Sequence, residues 1–279
     1  MRHAIIVLLL AFAALSYSAD SIQSNPSPNI IIIFTDDMGY GDLGVYGHPS
    51  IKTPNLDKMA FEGQRWTCFY VPANVCTPSR AGLLTGRLPI RSGMYGDDPR
   101  TLFPYSKGGL PESEITIAEV LKSVGYNTAA IGKWHLGHLT QYLPTRHGFD
   151  SYYGIPYSND MDIQKEINAF NYFKLFKNPK IEMFNVPLMR DISIIERPAK
   201  QRTITARYTR AAVKFIKENK GGPFFLYLAH SMPHVPLFVS PYFKDRSKGG
   251  LYGDVIEEIE EMVAKHIETI EPVENQLEK

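Results

Sequence analysis

Three short runs of consecutive apolar residues stand out along the chain, at residues 29–34, 128–131 and 224–228. Apolar and polar positions do not alternate within any of them. Each run is short and bounded by turn-forming residues, which is the pattern of a strand whose two faces are both buried. The pattern therefore predicts three interior strands.

Stretches with helical periodicity lie between and after these runs. One helix is predicted to begin at Thr116, because Glu119 completes a capping box there, and to end at Gly125. A second helix is predicted over about residues 203–219 and a last one after Asp254, each with an apolar stripe on one side. Strands that alternate with helices predict an α/β fold.

Residues 162–202 show neither pattern, being rich in Asn and Pro with scattered aromatic residues. We interpret them as a long surface excursion of the same domain. The whole chain has 279 residues, 44% of them hydrophobic, which is enough to bury a large core. Its formal charge of +1 gives no reason to expect a nucleic acid or an acidic surface as the partner, so an anionic substrate must be attracted locally.

The amino terminus has the pattern of a secretory signal peptide. Arg2 precedes an apolar run at residues 4–15, and small residues follow, which predicts removal of residues 1–19 by cleavage near Ser18 or Ala19. A membrane anchor is the alternative, but a spanning helix needs about 20 apolar residues and this run is shorter. No later stretch has the pattern of a membrane span.

Secretion would bring the chain into an oxidising compartment with two cysteines, Cys68 and Cys76. Two interpretations stay open for them. They can form a disulfide bond, as pairs in secreted chains commonly do. Alternatively, Cys76 has a chemical role of its own and Cys68 is a small buried hydrophobic residue.

Titratable residues follow each of the three predicted strands. Asp36 and Asp37 follow the first, Lys133 and His135 the second, and His234 the third. In α/β folds, ligands bind beyond the carboxyl ends of the strands, so these side chains are expected to lie close together. An Asp-Asp pair is usually a solvated turn, but carboxylates at a strand end also suit a hard cation.

The most specific motif is Cys-Thr-Pro-Ser-Arg-Ala-Gly-Leu-Leu-Thr-Gly-Arg at residues 76–87. Thr77 can cap a helix that begins at Pro78, which predicts Cys76 just before the helix amino terminus. Free N–H groups at such a terminus favour an anion. The motif resembles the sulfatase signature, in which the cysteine of a Cys-x-Pro-Ser-Arg core is oxidised to formylglycine in the secretory pathway.

The resemblance extends from about residue 29 to about residue 260 and is strongest to the arylsulfatase A-like branch. It implies an alkaline-phosphatase-like sandwich of helices around a mostly parallel central sheet, with residues 20–279 as the catalytic domain. It also implies a sulfate ester as substrate, a formylglycine-generating enzyme as maturation partner, and a lysosomal or extracellular destination.

The resemblance implies roles for eight residues. Calcium would be bound by Asp36 and Asp37 together with the modified Cys76. The residues expected to contact the nucleophile, the sulfate or the leaving group are Arg80, Lys133, His135, Ser158 and His234. A hydrated aldehyde at position 76 would attack sulfur and later release sulfate, and either His234 or Lys133 would protonate the departing oxygen. His230 is either a structural histidine or a further contact.

The chain departs from the resemblance near its carboxyl end. Complete sulfatases continue into a strand with an Asp-Asn-Gly segment that completes the calcium site, and no Asp-Asn-Gly occurs in these 279 residues. The catalytic domain is therefore expected to be truncated, with two calcium ligands missing and a sheet edge exposed. Two alternatives are a non-catalytic binding protein and a phosphoesterase of the alkaline phosphatase superfamily.

Overall fold

The computed structural model describes residues 27–96, 100–164, 176 and 179–270. The predicted signal peptide lies outside the described residues. Six strands form one sheet: β1 Ile30–Phe34, β2 Asn127–Gly132, β3 Ser151–Gly154, β4 Leu188–Arg190, β5 Ser193–Glu196 and β6 Phe224–Ala229. The strand order is β1-β6-β2-β3-β4-β5.

The sheet is mostly parallel, as predicted. β1, β6, β2 and β3 run parallel to one another, while β4 and β5 are antiparallel to their neighbours. All six residues of β6 are buried, because β1 and β2 flank it in the sheet and side chains cover both of its faces. β1 lies at the sheet edge and is only partly buried. All three predicted strands are therefore present, but burial on both faces is confirmed only for β2 and β6 and is wrong for β1.

Five α-helices lie in the described residues: α1 Pro54–Glu62, α2 Cys76–Thr85, α3 Ile117–Ser123, α4 Ile204–Asn219 and α5 Gly250–Ile270. Short 3-10 turns lie at Tyr40–Asp42, Gly44–Tyr46, Thr140–Tyr142, Pro144–Arg146, Ile181–Met183 and Gln201–Thr203. The capping box of α3 is confirmed, since Thr116 Oγ1 accepts from Glu119 N and Glu119 Oε2 accepts from Thr116 N. Gly125 follows this helix with a φ of 90°, which favours glycine.

Alternate residues of β6 face two different cores. Phe224, Leu226 and Leu228 pack on one side with the apolar stripes of α4 and α5. Phe225, Tyr227 and Ala229 pack on the other with side chains from α2 and α3. Successive side chains of a strand point to opposite faces, so this central strand joins both halves of a helix–sheet–helix sandwich.

Residues 162–202 are not only an irregular excursion, which corrects the sequence interpretation. β4 and β5 form a hairpin there and extend the sheet beyond β3. Strand β3 was also not predicted from the sequence. These strands have only three or four residues, too few for a clear periodic signal. Asp191 makes the turn with a φ of 50° and accepts from Tyr152 N through its carboxylate.

The last helix begins earlier than predicted, at Gly250. Asp254 lies inside it and does not cap it. The carboxylate of Asp254 instead accepts hydrogen bonds from the main-chain N–H groups of three residues in the preceding loop, Asp245, Arg246 and Ser247. A carboxylate near a helix start can stabilise the loop before the helix as well as the helix itself.

Within the part of the chain that the structure describes, no helix is long and apolar enough to span a membrane.

Candidate active site

The polar residues after four strands converge, as predicted, at one edge of the sheet. Asp36 after β1 forms an ion pair with Lys133 after β2. Lys133 Nζ donates to Ser158 Oγ after β3 at 3.0 Å. Ser158 Oγ lies 3.4 Å from Nε2 of His234, which follows β6. That same nitrogen lies 3.8 Å from Asp37 Oδ2, so the contacts form a closed ring.

Two buried cations share one buried carboxylate in this ring. Lys133 and Arg80 are completely buried, and Arg80 Nη2 lies 3.4 Å from the same Asp36 oxygen that Lys133 contacts. Burial would raise the pKa of Asp36, but Lys133, Arg80 and His234 outweigh it and hold the pKa well below its usual range. Asp36 is therefore ionised, and the cluster has one positive charge in excess.

The motif at residues 76–87 forms α2, but its cap differs from the prediction. Cys76 is the first residue of the helix, and Val75 is the N-cap residue. Thr77 is inside the first turn, where its Oγ1 donates to the carbonyl of His135 at 2.9 Å and accepts from Leu102 N at 3.1 Å. The hydroxyl therefore joins α2 to the loop after β2 instead of capping the helix.

Arg80 reaches from α2 to the strand ends. Its Nη1 donates to the carbonyl of Lys133 at 2.8 Å and lies 3.3 Å from the hydroxyl of Tyr227 in β6. Its Nε has no hydrogen-bond partner among the described residues, and Nη2 has only the 3.4 Å ion-pair contact with Asp36. Buried donors without an acceptor are rare in folded proteins, so Nε indicates where an oxygen-rich anion could bind.

His135 is buried and neutral. Burial and the neighbouring Lys133 lower its pKa well below the usual value. Its Nε2 donates to the carbonyl of Leu102 at 2.7 Å, which leaves the lone pair on Nδ1, and Nδ1 has no partner among the described residues. His135 also has a φ of 58°, and such strained backbone clusters at functional sites.

Asp36, Asp37, Cys76 and Arg80 line one cleft of about 670 Å³. Asp36 is buried whereas the carboxylate of Asp37 is 66% exposed. Carboxylate oxygens at a strand end suit calcium chemically. Calcium takes about 6–8 oxygen ligands, however, and the described residues hold no group of three or more His, Cys, Asp or Glu side chains placed to bind a metal. The donors fit calcium in kind but form only part of a site.

His234 lies in a loop that is tied to the rest of the site. Its Nδ1 donates to the carbonyl of Val235 at 2.6 Å, which leaves Nε2 towards Ser158 and Asp37. Asn159 and Gln201 lie behind this loop and are buried. Neither residue was singled out from the sequence, although Asn159 directly follows Ser158.

Three other sequence interpretations have clear outcomes. Cys68 is exposed, so its prediction as a buried residue is wrong. Cys68 and Cys76 are both free thiols, so no disulfide joins them in this structure. His230 is buried beside Tyr208, with ring centroids 6.5 Å apart, and is not part of the ring of contacts. Burial and the nearby His266 lower the pKa of His230 to about 3.

The comparison with known proteins agrees with this architecture. Residues 28–279 match the family model described as Sulfatase. Arylsulfatase A from Bos taurus is 43% identical over 266 residues, which are 94% of this chain and 51% of that protein. N-acetylgalactosamine-6-sulfatase from Homo sapiens is 40% identical over 258 residues, which are 88% of this chain and 47% of that protein.

A solved structure is also similar. The PsFucS1 sulfatase from Pseudoalteromonas sp. superposes with a TM-score of 0.71 at 30% identity, over 87% of this chain and 52% of that one. The chain thus spans about half the length of the relatives that it matches.

Proposed function

Since the chain belongs to the sulfatase family, we propose that it forms the catalytic part of a sulfuric ester hydrolase of the arylsulfatase type. The excess of buried positive charge beside Cys76 carries this proposal. Lys133 and Arg80 are held without solvent exposure against the single carboxylate of Asp36. A buried site with one uncompensated positive charge favours an anionic group such as a sulfate ester.

Cys76 is the proposed position of the nucleophile. It is the first residue of α2 and is partly exposed to the cleft, so a substrate can reach it. The N–H groups of a helix's first turn lack partners within the helix and favour negative charge nearby. Oxidation to formylglycine would supply an aldehyde hydrate whose hydroxyl attacks sulfur.

Lys133 and Arg80 would hold the sulfate oxygens. Lys133 Nζ is already fixed by Asp36 and Ser158, so it can donate to an incoming oxygen without reorganising. Arg80 would use Nε, which has no hydrogen-bond partner among the described residues, together with Nη2, whose only contact there is the ion pair with Asp36. Both cations would stabilise negative charge that develops on the sulfate oxygens.

Two histidines would move protons. Nε2 of His234 lies near Ser158 and Asp37, and the side chain is 16% exposed, so the imidazolium form can give its Nε2 proton to the departing alcohol oxygen. Lys133 is the less suitable donor, because its Nζ already contacts Asp36 and donates to Ser158. Nδ1 of neutral His135 would accept a proton from a hydroxyl at position 76.

We assign calcium to Asp36 and Asp37, together with an oxygen at position 76. When bound, the ion would act as a Lewis acid towards the sulfate oxygens. Two carboxylates are fewer donors than calcium usually takes, so binding by the described residues alone is expected to be weak.

A secretory or lysosomal enzyme of this kind would act on a sulfate ester and require a formylglycine-generating enzyme for maturation. The relatives include proteins named arylsulfatase and N-acetylgalactosamine-6-sulfatase. The residues of the ring would contact the sulfate and the leaving oxygen of such an ester.

A non-catalytic binding role is the second candidate, favoured by the incomplete donor set for calcium. A phosphoesterase is the third, since the same charges would hold phosphate. Assays with an aryl sulfate and the matching aryl phosphate separate these candidates. A phosphatase prefers the phosphate, and a binding protein hydrolyses neither.

The first test is peptide mass spectrometry of residue 76 in the protein from its natural source, followed by replacement with alanine. We expect an aldehyde at position 76, and we expect Cys76→Ala to abolish turnover. The fold should survive because alanine is a good helix former at the first helical position. Unchanged circular dichroism checks the fold, and sulfatase activity that persists in the variant would overturn the proposal.

A further inference from the structure

A buried amide lies directly behind the His234 loop. Nδ2 of Asn159 lies 3.1 Å from the carbonyl oxygen of Pro236 and 3.4 Å from that of His234. These two carbonyls flank Val235, whose own carbonyl accepts the hydrogen bond from His234 Nδ1 at 2.6 Å. One amide thus contacts both sides of the peptide segment that orients the imidazole.

Gln201 holds this amide in place. Its Nε2 donates to the main-chain oxygen of Asn159 at 2.9 Å, and its Oε1 accepts from Asn159 Nδ2 at 3.2 Å. Asn159 is 0% exposed and Gln201 is 2% exposed. Because buried amides that lose their partners destabilise a fold, the pair has few alternative arrangements.

We infer that Asn159, held by Gln201, is a positioning residue for His234 in catalysis. The inference rests on the proposed function, in which His234 protonates the departing oxygen. The amide contacts the carbonyls of the loop, and the Val235 carbonyl accepts from Nδ1 in both the neutral ring and the imidazolium. Nε2 is thereby left towards Asp37 in the cleft, so the proton that the imidazolium transfers is the one on Nε2.

A purely structural role for the amide makes a different prediction. If Asn159 only stabilised the loop, its loss would lower the rate on every substrate by a similar factor. If it orients a proton donor, the loss depends on the leaving group, because a poor leaving group needs the proton and a good one does not.

Gln201→Met tests the inference, since methionine has a similar length and cannot hydrogen-bond to Asn159 in the same way. Rates are measured with aryl sulfates from 4-nitrophenyl sulfate to phenyl sulfate. We expect kcat on phenyl sulfate to fall by about 10–100-fold, with KM and the rate on 4-nitrophenyl sulfate changing little. An equal loss on both substrates, or no loss, overturns the inference.

Thr209→Val is a matched control. Thr209 is a buried residue of α4 whose hydroxyl donates to the carbonyl of Thr205 at 3.0 Å, within the same helix. This variant also loses one buried hydrogen bond, but that bond does not involve the His234 loop. We expect its rates to change equally on all substrates.

A nitrogen NMR measurement of the His234 ring does not depend on activity. The neutral ring of the unaltered protein should have its proton on Nδ1, and Gln201→Met should give a mixture of tautomers. An unchanged tautomer in the variant overturns the inference. If the unaltered protein hydrolyses no sulfate ester, the proposed function fails by itself, and the NMR result still decides whether Asn159 orients His234.

Discussion

Lys133 has no exposed surface. Asp36 and Ser158 stabilise its buried side-chain nitrogen by accepting from it. Removing one member of a buried ion pair leaves the other charge unpaired, which costs more than the pair itself contributes. At the residue scale, the site is therefore also part of what stabilises the fold.

We expect Asp36→Asn to lower the free energy of unfolding by about 3–5 kcal/mol, because Lys133 and Arg80 are then both buried without a carboxylate partner. Urea unfolding measures this change. The double variant Lys133→Met with Asp36→Asn should be less destabilised than the sum of the two single variants, since it leaves one buried cation without a partner instead of two. Strictly additive losses would contradict the buried pair.

Sequence reasoning located the charged residues of the ring because each follows a recognisable strand. It did not find Asn159, Gln201 or Tyr227, whose partners are main-chain carbonyls or distant side chains. A tyrosine within an apolar strand is a weak sign of a polar contact, since a buried hydroxyl needs a hydrogen-bond partner. The identity of that partner, Arg80 on α2, depends on tertiary packing.

At the scale of elements, those with a strong local signal were predicted well, and those without one were not. The capping box of α3 and the stripe of α4 are local features, and both helices begin within one residue of the expected position. β3, β4 and β5 are stabilised by pairing at the sheet edge, which a local window cannot detect.

The α3 cap gives a prediction about one element. Thr116 Oγ1 accepts from Glu119 N and also donates to the carbonyl of His147 at 2.8 Å, so it joins the helix to a neighbouring loop. We expect Thr116→Ala to lower the free energy of unfolding by about 1–2 kcal/mol and to leave activity unchanged. Thermal unfolding measures the loss, and Thr116→Ser, which keeps the hydroxyl, should recover most of it. Equal stability of the two variants would contradict the role of the cap.

At the scale of the whole molecule, the two buried histidines behind the sheet make stability depend on pH. Burial, together with the nearby His266, lowers the pKa of His230 to about 3, and burial lowers that of His266 to about 4. Both stay neutral in the folded state, whereas the unfolded chain protonates them near the ordinary value of about 6.5. Stability is therefore complete above that value and is lost as pH falls towards the folded pKa values.

We expect His230 and His266 together to lower the free energy of unfolding by about 4 kcal/mol between pH 7.5 and pH 5, since each contributes about 2 kcal/mol over this range, and buried His135 acts in the same direction. Urea unfolding at both pH values measures the difference. His266→Phe should reduce the difference by about 2 kcal/mol. Asp36 does not contribute in this range, because a lowered carboxyl pKa matters only below about pH 4. Equal stability at both pH values would contradict the assignment of the two histidines.

β1 can pair with β6 only after most of the described chain has been synthesised. Asn29, next to β1, accepts from Phe224 N across a separation of 195 residues, and β1 has no other strand neighbour among the described residues. Since a ribosome adds about 5–20 residues per second, roughly 10–40 s pass between the synthesis of β1 and the synthesis of β6. During that interval the nascent chain presents four isoleucines and a phenylalanine, which makes this segment a binding site for molecular chaperones.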